Sequence, residues 1–238
     1  TLLTFRNICV FKKKSNIKAS SEDVKMEVLE NKHYYLNHAT GFIRPGRVTA
    51  IMGPSGCGKS TLITALTNRV PQSMYSGEIF LNDDKVEPYQ LNKVRGYVPQ
   101  EDVMNSDLTV KENLYYMCEL RHNAKSDLAS NILRRQVVDE VIRNMGLHKM
   151  RHSIIGGGTK RGLSGGQKKR VNIAMELMHG PQILFMDEPT SGLDASMSLK
   201  FIQFMNQFAI TTQTAVVMVI HQPNKKCFDI VDDVVLLQ

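Results

Sequence analysis

One stretch of the chain decides the fold: Gly53-Pro54-Ser55-Gly56-Cys57-Gly58-Lys59-Ser60-Thr61. It matches the phosphate-binding pattern G-x-x-x-x-G-K-[ST] at every fixed position. Residues 47–52 before it are β-branched and apolar, as in a buried parallel strand, and residues 60–67 after it carry apolar residues at helical spacing. Strand, glycine loop and helix therefore follow one another in the order that a nucleoside triphosphate site requires.

The residue types of this loop have separate physical roles. Glycines allow backbone N–H groups to turn toward a β-phosphate, and the following helix offers the positive end of its dipole. The ammonium group of Lys59 supplies a mobile charge for the β- and γ-phosphates. The hydroxyl of Ser60 is placed to bind Mg²⁺. An ordinary glycine turn is the alternative, and the preceding strand makes it the weaker one.

Composition limits the class of protein. The chain has 238 residues, 42% of them hydrophobic, which is enough for one large domain or two closely joined lobes. A formal net charge of +7 would suit nucleic acid, an anionic membrane surface or a polyanionic nucleotide. The runs of lysine and arginine have no interleaved aromatic residues for base stacking, so no nucleic-acid partner is expected.

The cysteines and the apolar runs point to a reducing, aqueous setting. The four cysteines lie far apart without a C-x-x-C pair, so neither a disulfide framework nor a zinc site is predicted. No apolar run approaches the roughly 20 residues of a membrane-spanning helix, and the segment is expected to be soluble. Residues 234–238 read as a strand without a closing turn, as in a piece of a longer chain.

Short apolar runs predict strands on both sides of the glycine loop, and a polar, charged segment at 12–32 is expected to be an exposed excursion. The predicted strands span residues 2–11, 34–36, 47–52, 76–81, 95–99, 182–186, 214–220 and 234–238.

Helical periodicity takes over in the middle of the chain. Residues 110–122 and 127–145 carry apolar residues at three- and four-residue spacing, with Ser126 as a cap for the second helix. Glycines at 156–158 break this run before another helix opens at 163–167, whose glycines make a second anion-binding helix start. A further helix is predicted from the segment after residue 194 to about residue 208. The pattern indicates a helical insertion within an α/β frame.

Two buried strands run directly into polar residues. Asp187 and Glu188 follow the strand at 182–186, and His221 follows the strand at 214–220. Because ligands gather at the carboxyl ends of parallel strands, Asp187 is a candidate Mg²⁺ ligand and Glu188 a candidate base for an attacking water. His221 is a candidate contact to the γ-phosphate. Taken alone, the acidic pair would suit a turn and His221 an ordinary strand end.

With these residues in order, the chain resembles the nucleotide-binding domain of an ATP-binding cassette (ABC) protein over nearly its whole length. The matching motifs are Walker A at 53–61, the Q-loop at Gln100, the LSGGQ signature at 163–167, Walker B at 183–187 with the catalytic Glu188, the D-loop at 191–194 and the switch histidine His221.

This resemblance implies an α/β fold of the P-loop NTPase, ABC-ATPase type. Its core would be a mainly parallel sheet with flanking helices, joined to an N-terminal antiparallel β portion and interrupted by an α-helical subdomain. The β portion and the RecA-like core would comprise residues 1–99 and 179–238, and the helical signature subdomain residues 100–178.

The resemblance also implies the residues of an ATP site and a Mg²⁺ site. Glu188, His221 and Lys59 would be catalytic, and Ser60, Gln100 and Asp187 would contact Mg²⁺. Residues implied to contact ATP are Gly53, Pro54, Ser55, Gly56, Cys57, Gly58, Lys59, Ser60, Thr61, Gln100, Ser164, Gly165, Gly166, Gln167 and Asp194. The signature would complete the ATP site of a partner domain, so that two ATP molecules are sandwiched head to tail.

An aromatic residue stacks on adenine in many ABC proteins. Phe11 is the nearest candidate here, ahead of Tyr34 and Tyr35.

Several stretches resemble more closely the ABCG, or White-type, half-transporters: residues 107–114, 162–170, 175–178, 187–194 and 220–223. Gln167 stands where that subfamily commonly has glutamate. This resemblance implies an ATPase that drives export of lipids, sterols or drug-like molecules. A membrane domain would follow beyond residue 238, and the ATPase domain would lie on the cytoplasmic face of the membrane.

The partner of such a domain would be a second nucleotide-binding domain, in a homodimer or on a related half-transporter. Two other functions stay open. A soluble ABC ATPase acting on nucleic acid would bind DNA or RNA in a salt-dependent way. A nucleotide sensor without turnover is disfavoured by the presence of both Glu188 and His221.

Overall fold

The structure is a computed structural model, and it describes residues 1–13, 32–101, 103–121, 131–156 and 162–238. Most of the predicted excursion at 12–32 lies outside the described residues, and so do the helix cap at Ser126, the end of the predicted helix at His122 and two of the three glycines at 156–158.

In the described residues, nine strands form two sheets. The strands are β1 (Leu3–Lys13), β2 (Lys32–Ile43), β3 (Val48–Met52), β4 (Tyr75–Leu81), β5 (Asp84–Val86), β6 (Arg95–Val98), β7 (Ile183–Met186), β8 (Ala215–Val219) and β9 (Asp233–Leu236). The six α-helices described are α1 (Lys59–Leu66), α2 (Val110–Arg121), α3 (Asn131–Asn144), α4 (Gly165–Leu177), α5 (Ala195–Thr212) and α6 (Lys225–Phe228).

The first sheet, called here the antiparallel sheet, has the strand order β2-β1-β4-β5. Its central strand β1 pairs with β2 from Leu3 opposite Ile43 and with β4 from Leu3 opposite Leu81. The predicted strand at 34–36 is present but much longer, because β1 offers hydrogen-bonding partners from one end of β2 to the other. The predicted N-terminal antiparallel portion is confirmed.

The second sheet, called here the parallel sheet, has the strand order β6-β7-β8-β3-β9, and all of its neighbouring strands run in the same direction. Val98 lies opposite Met186, Met186 opposite Met218, and Ile51 opposite Val219. The carboxyl ends of β6, β7, β8 and β3 therefore meet at one edge of the sheet, and the loops that follow them emerge together.

The parallel sheet is buried on both faces. Alternate residues of β7 and β8 enter different cores. Leu184, Met186, Val216 and Met218 pack with α2 to α5, whereas Ile183, Phe185, Val217 and Val219 pack with α1 and the antiparallel sheet. Two buried faces explain why these strands read as continuous apolar runs in the sequence. The predicted α/β fold class is confirmed.

The helices agree closely with the periodicity of the sequence. The predicted helix at 110–122 is α2, and the described part of the helix predicted at 127–145 is α3. Helix α5 continues four residues beyond the predicted end near 208, because Phe208 and Ala209 extend its buried stripe, and it stops at Gln213, which has φ 56°. Across the described ranges, every helix is too short or too polar to span a lipid bilayer.

Phe185 tests the packing between the two sheets. Its side chain on β7 is 1% exposed in the core shared with α1 and the antiparallel sheet, so Phe185→Ala is expected to lower the free energy of unfolding by about 3–5 kcal/mol. Phe228→Ala is the matched control, because that ring on α6 is 46% exposed. Urea unfolding followed by circular dichroism measures both, and equal losses in the two variants would contradict this account of the core.

Candidate nucleotide-binding site

The glycine loop turns tightly between β3 and α1. Gly53 has φ 151°, and a Cβ atom on it would lie 2.3 Å from the carbonyl oxygen of Leu237. The Leu237 N–H in turn donates to the carbonyl of Met52, 2.9 Å away. At the other end of the loop Gly58 is the N-cap of α1 with φ 94°. Any side chain at Gly53 would collide with backbone, so this position requires glycine.

Lys59 lies over the loop that it follows. Its ammonium group donates to the carbonyl of Gly53 at 3.0 Å and to that of Pro54 at 2.7 Å, and the residue is only 5% exposed. A positive charge is thus held beside the N-terminus of α1, whose first N–H groups also favour an anion. The two effects together suit the loop to bind an anion such as phosphate.

Ser60 and Asp187 meet across the edge of the sheet. The Ser60 hydroxyl donates to Oδ1 of Asp187 at 3.1 Å, although 127 residues separate them. A hydroxyl and a carboxylate are ligands that suit Mg²⁺ when phosphate oxygens complete the set. Among the described residues, no three His, Cys, Asp or Glu side chains cluster as a protein-only metal site.

Burial is the main influence on the pKa of the Asp187 carboxyl group. Burial raises the pKa of its carboxyl group above the ordinary value, the nearby Glu188 charge raises it further, and the hydrogen bond from Ser60 opposes both. His221 and Lys59 also lower the pKa of Asp187, but less strongly. A buried carboxylate of this kind gains from a divalent cation, because the cation offsets the lost solvation.

Glu188 is held from two sides. The Gln100 amide donates to its Oε2 at 2.9 Å, and Nε2 of His221 lies 2.7 Å from its Oε1. These residues follow β7, β6 and β8 respectively, so the in-register ends of the strands bring them together. Glu188 also has φ 47° directly before Pro189, a conformation that costs energy and is found at functional sites.

A cleft of about 580 Å³ opens over the loop and this carboxylate. It is lined by His33, Tyr34, Tyr35, Ser55, Gly56, Gly58, Lys59, Ser60, Thr61, Glu188 and His221. Phe11, the leading aromatic candidate from the sequence, is 6% exposed beneath Tyr34 and does not line the cleft. The aromatic rings that line the cleft belong to Tyr34 and Tyr35 on β2, together with the imidazoles of His33 and His221.

Comparison with known proteins identifies the family. The family described as "ABC transporter" matches residues 36–191, about two thirds of the chain. The chain belongs to the ABC transporter family. The matched range includes the glycine loop, Gln100, residues 163–167 and Asp187-Glu188.

The relatives include members of the G subfamily. The chain is 38% identical to ABC transporter G family member 28 of Arabidopsis thaliana over 99% of its own length and 21% of that protein. It is 37% identical to ABC transporter G family member 22 of the same plant, over 99% of this chain and 29% of that protein. It is 44% identical to the ABC-type transporter claG of Penicillium crustosum, over 83% of this chain and 26% of that protein. The chain thus spans less than a third of each of these three relatives.

The ABC signature lies apart from the cleft of its own chain. Ser164 is the N-cap of α4 and forms a capping box with Gln167, whose Oε1 accepts from the Ser164 N–H at 2.9 Å. Gly165 and Gly166 face Leu193 and Met197 near the start of α5. Within the described residues, the cleft lining includes none of these four signature residues.

Asp194 of the D-loop has a structural role in this chain. Its Oδ1 accepts hydrogen bonds from the N–H groups of Ser196 and Met197, both at 2.9 Å, and so caps α5. It does not line the cleft. Gly53, Pro54 and Cys57 also lie outside the lining, although the carbonyls of Gly53 and Pro54 hold Lys59.

Two residues near the site were not predicted from the sequence. His33 lines the cleft beside Tyr35, with the two ring centres 5.2 Å apart. Lys169 donates to the backbone carbonyl of Gln100 at 2.8 Å. A signal existed for Lys169, because it occupies a buried-face position of the signature helix, three residues after Gly166. No pattern in the sequence marked His33.

Asp187→Asn should make the protein more stable at neutral pH. A raised pKa means that ionising Asp187 costs stability, so its favourable contribution is full below the unfolded value of 3.8 and is lost as the pH rises through the folded value. The variant keeps an oxygen for Ser60 but carries no charge. Its melting temperature is expected to exceed that of the wild type at pH 7 without Mg²⁺ or nucleotide.

The same measurement near pH 3.5 should show a smaller gap between the two proteins, provided that both remain folded there. Asp84→Asn on the exposed strand β5 is the control and should leave the melting temperature unchanged at pH 7. A destabilised Asp187→Asn protein at pH 7 would contradict the assignment of burial as the main influence on this carboxyl group.

Proposed function

We propose that this chain binds ATP and Mg²⁺ and hydrolyses ATP, as the nucleotide-binding domain of an ABCG-type transporter. One observation carries the proposal. Glu188 is clamped between Gln100 and His221 at the sheet edge where Ser60 of the phosphate loop meets Asp187. A carboxylate held in this way beside a phosphate site is suited to act on a water molecule.

The chemistry follows from what each group offers. The loop N–H groups and Lys59 would bind the β- and γ-phosphates, with Lys59 exchanging loop carbonyls for phosphate oxygens. Mg²⁺ held by Ser60 and Asp187 would neutralise charge on the phosphates. Glu188 would accept a proton from the attacking water. At the same time the water oxygen would bond to the γ-phosphorus, and the bond from that phosphorus to the leaving ADP would break. Gln100 and His221 would align Glu188 and the γ-phosphate.

Adenine has aromatic partners in the cleft. Tyr34 and Tyr35 are partly exposed on β2 and line the space above the glycine loop. Stacking of the base on one of these rings would bury apolar surface at little entropic cost. An aromatic ring in this place supports a nucleotide over inorganic phosphate as the ligand. The choice of adenine follows the membership of the ABC transporter family.

The position of the signature supports a head-to-tail dimer. Ser164, Gly165 and Gly166 open helix α4, whose exposed first residues Ser164 and Gly165 do not line the cleft of their own chain. A phosphate there would have to come from a nucleotide on a partner domain. Asp194 would contribute to the same composite site, meaning an ATP site formed by residues of both domains. The partner would be a second copy or a related half-transporter.

The remaining parts of the proposal concern the whole protein. The helical subdomain at 100–178 would meet a membrane domain beyond residue 238, and the ATPase domain would lie on the cytoplasmic face of the membrane. Hydrolysis would drive export of a lipid, sterol or drug-like molecule. The support here is the similarity to the G-family transporters, and no nucleic-acid partner is proposed.

Glu188→Gln tests the catalytic base. Removing the carboxylate while keeping its shape should lower the rate of Mg²⁺-dependent ATP hydrolysis about 10²- to 10⁴-fold. In wild-type protein the rate per chain should rise with protein concentration, because a dimer forms the site. Size-exclusion chromatography in saturating ATP should show the variant as a dimer, since bound ATP is not consumed.

Glu78→Gln is the matched control, because this carboxylate lies on β4 of the antiparallel sheet and pairs with Lys85 there. Its hydrolysis rate should equal that of the wild type. A Glu188→Gln protein that hydrolyses ATP normally and stays monomeric would overturn the proposed base and the proposed dimer together.

Mixing two inactive variants tests the composite site directly. Lys59→Ala damages the phosphate loop, and Gly165→Asp places a negative charge where the partner's phosphate would lie. A Cβ on Gly165 would meet its nearest atom, on Leu193, at 3.7 Å, which is an ordinary contact, and Gly165 is exposed. Each variant alone should be inactive. Their equimolar mixture should regain about a quarter of wild-type activity, because half of the random dimers have one intact site.

Each variant at double concentration is the control for this mixture and should stay inactive. Native mass spectrometry of the mixture gives the share of mixed dimers. If mixed dimers form without regained hydrolysis, the signature does not complete the partner's site and the head-to-tail arrangement is wrong.

A further inference from the structure

Lys169 is a charged residue where the pattern of its helix predicts an apolar one. It lies on the buried side of α4 with Gly166, Asn172 and Ile173, and it is 6% exposed. Burying an ammonium group costs free energy unless hydrogen bonds compensate it. A helix at this position would be more simply built with leucine or methionine, so the charge calls for a reason beyond packing.

The ammonium group of Lys169 reaches the loop after β6. It donates to the backbone carbonyl of Gln100 at 2.8 Å, across 69 residues of sequence. Gln100 is exposed, and it follows the last residue of β6 by two positions, where the sheet no longer holds the backbone. The hydrogen bond from Lys169 therefore supplies a fixed point from the signature helix at this place in the loop.

The contact continues to the proposed catalytic base. The backbone of Gln100 accepts from Lys169, the side chain of Gln100 donates to Glu188 at 2.9 Å, and Glu188 lies 2.7 Å from His221. A side chain with three rotatable bonds reaches a given point reliably only if its backbone is held. The reach of the Gln100 amide to Glu188 thus depends on where the carbonyl of the same residue is fixed.

We propose that Lys169 is a positioning residue for hydrolysis, which sets Gln100 so that its amide orients Glu188. The inference rests on the proposed function, because it assigns a role in that reaction. Lys169 does not line the cleft, and its hydrogen bond to Gln100 links it to Glu188. It also joins the start of the signature helix to the catalytic carboxylate, so a partner's nucleotide bound at that helix start would be sensed at Glu188.

The neighbouring Lys168 provides a close comparison within the same helix. Its ammonium group donates to the carbonyl of Gly156 at 2.7 Å, a bond of the same kind that does not lead to Gln100. Both lysines join the N-terminal part of α4 to a backbone carbonyl. Of these two bonds, the one from Lys169 reaches the residue that contacts Glu188.

The test replaces each lysine by methionine, which has a similar length and no charge, in the natural full-length protein. Lys169→Met should lower kcat for ATP hydrolysis on the order of tenfold, because a small misplacement of a catalytic group is costly. KM for ATP and the melting temperature should change little, since the cleft is intact. Lys168→Met should keep kcat within about twofold of the wild type.

A double-mutant cycle with Gln100→Ala separates positioning from a structural role. In the Gln100→Ala background the amide is gone, so Lys169→Met should cause no further fall in kcat. Lys169→Arg keeps a charged donor and should regain part of the lost rate when Gln100 is present. If Lys169→Met fails to fold, Lys169→Arg replaces it in the double-mutant cycle. Lys169→Arg should then lower kcat when Gln100 is present and leave kcat unchanged in the Gln100→Ala background.

Three results would overturn the role of Lys169: an unchanged kcat in Lys169→Met, an equal fall in the Gln100→Ala background, or an equal fall in Lys168→Met. Each of them leaves the proposed ATPase standing, because the wild-type protein is active in all three. Absence of hydrolysis in the wild-type protein would instead overturn the proposed function, and the role of Lys169 with it.

Discussion

The site depends on the register of one parallel sheet. Hydrogen bonding of β6, β7, β8 and β3 in the same direction brings four loops to one edge. Four separate parts of the chain meet there without any loop having to fold back over the sheet. The hydrophobic cores on both faces fix this register, because a shift by one residue would exchange the side chains of the two cores. Stability and function therefore rest on the same set of strands.

Much of this arrangement could be predicted from local sequence. The glycine loop, the apolar strands and the helical periodicity are short-range patterns, and they gave the α/β fold and most element bounds correctly. Long-range partners could not be predicted in this way. The length of β2 depends on pairing with β1, and the burial of Phe11 below Tyr34 depends on the packing of both strands. The contact between Lys169 and Gln100 likewise needs the folded chain.

Three buried charges surround the candidate site, and each is compensated differently. Lys59 is satisfied by carbonyls of its own loop, Asp187 by one hydroxyl, and Lys169 by the carbonyl of Gln100. The compensation of Asp187 is incomplete, because burial still raises the pKa of its carboxyl group. The carboxylate of Asp187 has oxygen lone pairs that a cation could use. The ammonium group of Lys59 could exchange its loop carbonyls for phosphate oxygens. Both groups therefore favour a ligand that brings phosphates and a cation.

The edge strand β9 gives the glycine loop a mechanical connection. Asp233 at its start forms an ion pair with Arg47, the Leu237 N–H just after its end bonds to Met52, and the Leu237 carbonyl leaves no room beside Gly53. Because Leu237 contacts the residues on either side of the start of the loop, a displacement of β9 would move Met52 and Gly53 with it. The conformation of the phosphate loop therefore depends on the position of this edge strand.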